Sequence, residues 1–408
     1  MNLRIITGPL NLALVFTIIA ASSPASAEKI SFPQGVATPS ETCGACHQAI
    51  YREYMFGVGS DNHVPYAANR PEQAGMHPLP ANTSSTATAH ANSDFHLTDS
   101  GSWGNPYCVS CHFPEPFAIS DMDKAAKFRA KAATGGKIMT CASCHLTPDG
   151  KIRGIGPASN APHEVVATPE LQTSAVCAHC HTDGSTDRRI AGKQHQTFNE
   201  WQEDFAKPGL GRQQCQDCHM PRTIRKVAET SDAAPRAVAR HLWTGANSRQ
   251  RHLGSLALSI IQPIAGESGI SFSIANIGAG HSVPTCVNSR AVFLLAEIAD
   301  KKGLNKLKKV WMFAQDHSER PDNKAFLEED KQLSGWEATA QAQADAQGPH
   351  EAAIRAGEER ILAWKPALEQ GEYLVTARLY YTLDRFNNNP VNDSNAEIGR
   401  ATLIITTR

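Results

Sequence analysis

Residues 141–145 read Cys-Ala-Ser-Cys-His, and this Cys-x-x-Cys-His pattern occurs five times in the chain. The copies, numbered motifs 1 to 5, are Cys43/Cys46/His47, Cys108/Cys111/His112, Cys141/Cys144/His145, Cys177/Cys180/His181 and Cys215/Cys218/His219. They use ten of the eleven cysteines, which leaves only Cys286 outside them. Two thiols at this spacing can bond to the two vinyl groups of one haem, and the following histidine can bind its iron. The pattern predicts five covalently bound haem c groups.

Three other uses of paired cysteines account for less of the pattern. A disulfide framework gives no reason for a histidine after every second cysteine. Structural zinc sites combine two Cys-x-x-Cys knuckles, and five knuckles cannot all be paired. A redox dithiol normally occurs once, within a βαβ unit. Haem attachment explains all five copies together.

Each haem iron can also bind a second axial ligand, and twelve of the seventeen histidines lie outside the motifs. The preferred distal candidates are His63, His96, His163, His195, His241 and His281, with His77 and His90 as substitutes. This set is one larger than five irons require. His179 lies inside motif 4, where it cannot easily reach its own iron, and His317 and His350 lie in a polar stretch typical of surface histidines. Ligation by two histidines favours low reduction potentials, because Met/His ligation is the arrangement that raises them.

The N-terminus and the charge balance indicate where the chain acts and with what. Arg4, an apolar stretch from Leu10 to Ala21 and the sequence Ala25-Ser26-Ala27 predict a signal peptide over residues 1–27, followed by release into the periplasm or the extracellular space. No later segment is long and apolar enough to span a membrane. The 39 basic and 40 acidic residues nearly cancel, so no chain-wide positive field would attract nucleic acid. Haem propionates would add up to about ten negative charges, which favours redox donors and acceptors with cationic surfaces.

The remaining sequence divides into two parts. Residues 28–240 have weak apolar periodicity and many Gly and Pro residues, which predicts short helices and loops wrapped around the haems. Residues 241–408 contain alternating apolar segments from about Ser255 onward, which predict a mainly β, sandwich-like domain of antiparallel strands. The polar stretch Lys226 to Arg236 is the predicted linker. Cys286 is expected to be a small buried side chain in a turn, with a reactive thiol or a haem ligand as the alternative.

Several segments resemble multihaem cytochromes of the cytochrome c-552/c-554 type. They are Cys43–Tyr54 with the later His63, Phe198–Trp201 before motif 5, His241–Asn247 and Gly278–Thr285. The last segment resembles a Gly-His-x-x-Pro-Thr-Gly turn of that group, and the resemblance implies that His281 reaches a haem. This chain departs from the group at Tyr54, where tryptophan is more usual, at Cys286, which replaces the final glycine, and in having five motifs where the best-known members have four. A pentahaem nitrite reductase is disfavoured, since no motif ends in lysine.

These observations predict an electron carrier that moves single electrons between redox proteins outside the cytoplasm. The alternative is a multihaem oxidoreductase acting on a small nitrogen or sulfur compound at a five-coordinate haem. A third hypothesis is a subunit that associates with its own copies into a haem filament. The sequence identifies no catalytic residue, so the carrier is the preferred hypothesis.

Overall fold

The computed structural model describes residues 29–32, 38–56, 140–156, 158, 160–182, 196–246, 248–262, 269–286, 290–303, 306–315, 351–383 and 396–407. Motifs 1, 3, 4 and 5 lie within these residues, together with His163, His241 and His281. The predicted signal peptide and motif 2, with Cys108, Cys111 and His112, lie outside them. The distal candidates His63, His96 and His195 and the substitutes His77 and His90 also lie outside.

Each described motif begins on a short helix. The motif helices are Ser40–Gly44, Cys141–His145, Ala175–His181 and Cys215–His219, and motif 1 is followed by a second helix, Gln48–Phe56. The other helical segments are Pro169–Gln172, Thr197–Glu200 with its π-helical continuation Trp201–Ala206, and Arg249–Leu253. Residues three and four apart are neighbours on a helix, so helical turns in these motifs bring their cysteines and histidine to one side.

Motif 1 differs from the others because its helix ends early. Cys46 and His47 lie between the helices Ser40–Gly44 and Gln48–Phe56. The backbone N–H groups of both residues still donate to the carbonyl oxygen of Cys43, at 3.2 and 2.9 Å. The motif therefore keeps a tight turn in spite of the short helix.

Within the described part of the chain, no helix is both long enough and apolar enough to cross a membrane.

Two small sheets connect the motif helices. Strand β1 (Ile152–Gly154) pairs in parallel with β2 (Val165–Ala167), and β3 (Arg222–Arg225) pairs antiparallel with β4 (Arg236–Ala239). The prediction of a linker over residues 226–236 is therefore wrong, because this stretch closes a hairpin. Its polar character has a local cause: the Glu229 carboxylate accepts hydrogen bonds from the backbone N–H groups of Gln48 and Ala49, at the start of the second helix of motif 1.

The C-terminal part is built from two sheets. Strands β5 (Leu256–Ile261), β6 (Ile270–Asn276) and β10 (Glu359–Trp364) form the smaller one in the order β10-β6-β5. The larger sheet has the order β12-β11-β7-β8-β9, formed by β7 (Ala291–Asp300), β8 (Lys306–Ala314), β9 (Glu351–Ala352), β11 (Gly371–Thr382) and β12 (Glu397–Thr407). All neighbouring strands in the two sheets are antiparallel except β8 and β9.

A hydrophobic core joins the two sheets. Phe272 and Ile274 of β6 belong to the same buried cluster as Leu294 of β7, Phe313 of β8 and Val375 of β11. Every second residue is apolar from Ile270 to Ile274 of β6 and from Tyr373 to Tyr381 of β11, as expected for strands with one face against a core. The predicted strands are present, and the β-rich C-terminal region is confirmed.

Candidate functional site

Three of the motif histidines each face one of the predicted distal histidines. The ring centroids lie 6.3 Å apart between His47 and His163, 6.2 Å between His145 and His241, and 6.1 Å between His219 and His281. Each pair joins residues that are far apart in the sequence, and the three pairs have nearly the same separation. The structure therefore brings together three preferred distal candidates with the histidines of motifs 1, 3 and 5.

Hydrogen bonds fix which ring nitrogen carries the proton in five of these six histidines. In each, Nδ1 contacts a backbone carbonyl oxygen: Val227 for His47, Arg153 for His145, Thr244 for His219, Ala239 for His241 and Ser282 for His281. A carbonyl oxygen only accepts, so Nδ1 must donate and the lone pair of the neutral ring lies on Nε2. This is the arrangement in which an imidazole binds a metal through Nε2 while its other nitrogen is held by a backbone group.

Burial keeps several of these imidazoles neutral. It lowers the pKa of both His219 and His241 to about 4, with a further contribution in each case from the histidine that it faces. Burial also lowers the pKa of His145 and of His163. These four imidazoles are therefore available as ligands at neutral pH without first losing a proton.

The spacing of the pairs fits haem iron. Two imidazoles on opposite sides of one metal, each bound at about 2 Å through a nitrogen about 1.1 Å from its ring centre, have centroids about 6.2 Å apart. The three observed distances agree with this value. The described residues contain no group of three or more His, Cys, Asp or Glu side chains placed to hold a metal ion.

The motif helices also contact one another in two similar pairs. The thiols of Cys43 in motif 1 and Cys141 in motif 3 are hydrogen-bonded, and so are those of Cys177 in motif 4 and Cys215 in motif 5. In both pairs a buried serine accepts a hydrogen bond from the backbone N–H of the partner's first cysteine. Ser40 accepts from Cys141 at 3.2 Å, and Ser174 accepts from Cys215 at 3.0 Å.

The thiol contacts between motifs thus involve the first cysteine of each motif, and the second cysteines have different surroundings. Cys46, Cys144 and Cys180 are half-buried, whereas Cys218 of motif 5 is exposed. None of the nine cysteines in the described ranges forms a disulfide bond. Covalent haem attachment at these eight motif cysteines stays a prediction.

Distant segments hold the backbone at two of these second cysteines. The carbonyl oxygen of Cys46 accepts a hydrogen bond from the backbone N–H of Glu229 at 3.1 Å, which adds to the contacts of Glu229 with the following helix. The carbonyl oxygen of Cys218 accepts a hydrogen bond from the guanidinium of Arg251. The helical turn that contains the exposed Cys218 is therefore held by the neighbouring helix Arg249–Leu253.

Sequence reasoning missed the pairing of the motifs, although a signal was present. Ser40 and Ser174 each stand three residues before the first cysteine of their motif. The shared position could have indicated that motifs 1 and 4 have equivalent roles. The identity of each partner motif could not be read from it, because Cys43 and Cys141 are separated by most of the undescribed part of the haem region.

His241 is held by a buried ionic cluster around Glu53, a residue that no sequence motif singled out. Glu53 is 1% exposed and accepts two hydrogen bonds from Arg225 of β3, at 2.7 and 2.8 Å. It accepts a third from Arg240 and a fourth from the backbone N–H of His241, at 3.0 Å. Because Glu53 lies on the second helix of motif 1, this carboxylate connects motif 1 to the histidine that faces motif 3.

His281 lies in a turn of the β-domain that is fixed from both sides. The buried Asn276 side chain donates to the carbonyl oxygens of His281 and Ile354. On the other side, Glu200 accepts from the backbone N–H of Ser282 at 3.1 Å and from the hydroxyl of Thr285 at 2.7 Å. Glu200 belongs to the helix that follows motif 4, so the turn is anchored directly to the haem region.

Substitution of Gly278 tests how tightly this turn is packed. A Cβ atom at Gly278 would collide with the backbone carbonyl oxygen of Gly254, which cannot move as a side chain can. We expect Gly278→Ala to destabilise the protein by about 1–3 kcal/mol and to weaken the placement of His281. Gly156→Ala is the matched control, because open space surrounds that position, and it should be neutral or stabilise slightly. Denaturant titration of both variants measures the difference, and equal stabilities would contradict the prediction.

Two further residues lie near the site. His252 is buried, its ring stacks on Tyr381 at a centroid distance of 3.9 Å, and burial lowers its pKa to about 3. It therefore packs as a neutral side chain against the β-domain. Cys286 lies next to His181 of motif 4, and the thiol and the imidazole are hydrogen-bonded.

Comparisons with known proteins give a limited result. No family model and no curated protein matches the chain. Among solved structures, the chain is similar to the crystal structure of a penta-heme cytochrome c552 from Thermochromatium tepidum, with 17% sequence identity and a TM-score of 0.49 over 91% of this chain and 100% of that chain.

Proposed function

We propose that this protein is a pentahaem c-type cytochrome that carries single electrons between redox partners outside the cytoplasm. The observation that carries the proposal is the common spacing of the three histidine pairs, 6.1–6.3 Å between ring centroids. Each pair combines the histidine of an attachment motif with a second imidazole, and in His241 and His281 the hydrogen bond of Nδ1 leaves Nε2 available. Haem iron would supply the redox change, while the ten motif cysteines would hold the porphyrins covalently.

The ligand pairs assign roles to the described residues. In motif 1, His47 would bind the iron from one side and His163 from the other, with thioether bonds at Cys43 and Cys46. In the same way, His145 and His241 would hold the haem of motif 3, and His219 and His281 that of motif 5. Occupation of both axial positions by imidazole leaves no position on these three irons for a substrate, which favours electron transfer over catalysis there.

Contacts between motifs support a continuous route for electrons. Motif 1 contacts motif 3 through Cys43 and Cys141, and motif 4 contacts motif 5 through Cys177 and Cys215. The hydrogen bond with Cys215 and burial raise the pKa of the Cys177 thiol, and an electrostatic interaction with Cys144 of motif 3 raises it further, more weakly. Motif 3 therefore also lies near motif 4. We therefore propose the order 1-3-4-5 for the haems of these four motifs.

Whole-protein mass spectrometry and a ferric electron paramagnetic resonance spectrum of the mature protein test the proposal together. We expect a mass equal to the exported polypeptide plus five haems, and low-spin signals for the haems of motifs 1, 3 and 5. A redox titration should show low midpoint potentials, as two-histidine ligation favours. A colourless protein with the mass of its amino acids alone would contradict the proposal.

The same spectrum separates the carrier from the alternative enzyme. A high-spin ferric signal that changes on addition of nitrite or hydroxylamine would favour an oxidoreductase with a five-coordinate haem. Light scattering at high protein concentration tests association into a filament, since a carrier that acts alone should remain a monomer.

A further inference from the structure

The hydrogen bond that orients His241 shares its acceptor with a cation. The carbonyl oxygen of Ala239 accepts from Nδ1 of His241 at 3.1 Å and also from the guanidinium of Arg225 at 3.3 Å. Of the five backbone carbonyl oxygens that hold a candidate ligand histidine in the described part of the chain, this is the one on which a guanidinium group also donates. The motif 3 site therefore differs from the sites of motifs 1 and 5 in the group that lies behind its distal imidazole.

The pairing of β3 with β4 places Arg225 on the inner face of the hairpin. Side chains alternate along β3, so Arg222 and Ile224 are exposed, whereas the side chain of Arg225 is only 14% exposed. Both terminal nitrogens of Arg225 donate to the carboxylate of Glu53, at 2.8 and 2.7 Å. The guanidinium is thus held in one position, between Glu53 and the carbonyl oxygen of Ala239.

The charges around this hairpin are unequal. Among the described residues, Arg225 and Arg240 face the single carboxylate of Glu53, and all three side chains are mostly buried. The Nε atom of Arg225 is also buried and has no hydrogen-bond acceptor among the described residues. An incompletely bonded buried cation costs free energy, and water screens its charge less than it would at the surface. The positive charge of Arg225 should therefore act on neighbouring groups, and His241 lies next to it.

The proton affinity of His241 responds to the same charge. Burial and the facing His145 lower the pKa of His241 to about 4, and Arg225 adds to the lowering, whereas Glu53 opposes it. Arg225 thus disfavours a further positive charge on the imidazole. Oxidation of ferrous to ferric iron on the other side of this ring would likewise add one positive charge.

We propose that Arg225, acting through the carbonyl oxygen of Ala239 and through His241, raises the reduction potential of the haem of motif 3. The inference rests on the proposed function, since it requires haem between His145 and His241. The guanidinium draws electron density from the shared carbonyl oxygen, which weakens the hydrogen bond of Nδ1 and makes His241 a less basic ligand. Its charge also disfavours the ferric state. Arg225 is therefore a positioning residue that sets a difference in potential within a route whose described ligand pairs all consist of two histidines.

Three substitutions on one strand test the role of this charge. Arg225→Gln removes the charge but keeps an amide that can donate a hydrogen bond, whereas Arg225→Lys keeps the charge. Arg222→Gln is the matched control, because it removes the same charge from the exposed face of β3. The mature, haem-loaded wild type and the three variants would be compared by whole-protein mass, ferric electron paramagnetic resonance and redox titration.

We expect every one of these proteins to carry five haems and to keep the low-spin signals of the wild type. One midpoint potential should fall in Arg225→Gln, fall less in Arg225→Lys and stay in place in Arg222→Gln. The potential that falls should be the same one that His241→Met raises, which assigns it to the haem of motif 3.

A second comparison gives the same test if Arg225→Gln alone does not mature. Glu53→Gln and the double variant Glu53→Gln/Arg225→Gln differ only at Arg225, and the motif 3 potential should be lower in the double variant. Unchanged potentials in Arg225→Gln, or falls of equal size in Arg225→Lys or Arg222→Gln, would overturn the inference and leave the proposed function intact. A wild-type mass without haem would instead overturn the proposed function.

Discussion

Replacing Glu53 with glutamine should destabilise the protein by about 3–5 kcal/mol, the cost typical of breaking a buried ion pair from one side. The Glu53 carboxylate is 1% exposed, and its two cationic partners, Arg225 and Arg240, are only 14% and 13% exposed. Without the negative charge, two mostly buried guanidinium groups would lack compensation. The free energy of unfolding from denaturant titration of the haem-loaded protein measures the loss.

The same substitution should disturb the proposed haem ligand His241, because Glu53 also accepts the backbone N–H of that residue. We expect part of the motif 3 iron to lose its second imidazole and to give a high-spin ferric signal. Adding Arg225→Gln to Glu53→Gln should recover part of the lost stability, since it removes one of the uncompensated charges. The charge explanation would be wrong if the double variant lost more free energy of unfolding than the two single variants lose together.

Glu203→Gln is the matched control for this prediction. Glu203 pairs with Lys207 one helical turn away, but both side chains are more than half exposed. An exposed pair of this kind contributes about 0–1 kcal/mol. The control should therefore leave both stability and the ferric spectrum close to wild type.

The sequence was a good guide wherever a pattern is local. Period-two alternation correctly predicted strands such as Ile270–Asn276 and Gly371–Thr382, because each strand has one face against the core. The resemblance at Gly278–Thr285 singles out His281, which the structure places opposite His219 of motif 5. The same local reading gave the wrong result for residues 226–236, where polarity reflects the capping of another helix by Glu229 and not a connection between domains.

Ligand pairing could not be predicted, because it depends on contacts between distant segments. His163 and His241 were two of six candidates, and nothing in their neighbouring residues distinguishes the motif that each one faces. His163 forms an isolated β-bridge with Ile30 and faces the motif 1 histidine. His241 follows strand β4 of the β3-β4 hairpin and faces the motif 3 histidine. The sequence could not identify Glu53 either, since a glutamate within a helix is usually a solvated residue.

His241→Ala should convert one six-coordinate haem into a five-coordinate one. His241 faces His145 at 6.2 Å between ring centroids, and its Nδ1 donates to the carbonyl oxygen of Ala239 at 3.1 Å, which leaves Nε2 available for the proposed iron. We expect the ferric spectrum to gain a high-spin signal from one haem of the five, which cyanide or imidazole should convert back to low spin. His241→Met should instead keep six ligands and move one midpoint potential upward, within the range of about 0.8 V over which axial ligands set haem potentials.

His252→Ala is the control that separates the effect of losing an iron ligand from the effect of removing a packed imidazole. His241 is half-buried and His252 is buried, and desolvation lowers the pKa of His241 to about 4 and that of His252 to about 3, so both substitutions should destabilise the protein. Only His241 faces a described motif histidine, whereas the ring of His252 stacks on Tyr381. The high-spin signal should therefore appear in His241→Ala and be absent from His252→Ala. The same spectrum in both variants would mean that distance to a motif histidine does not identify the iron ligands of this protein.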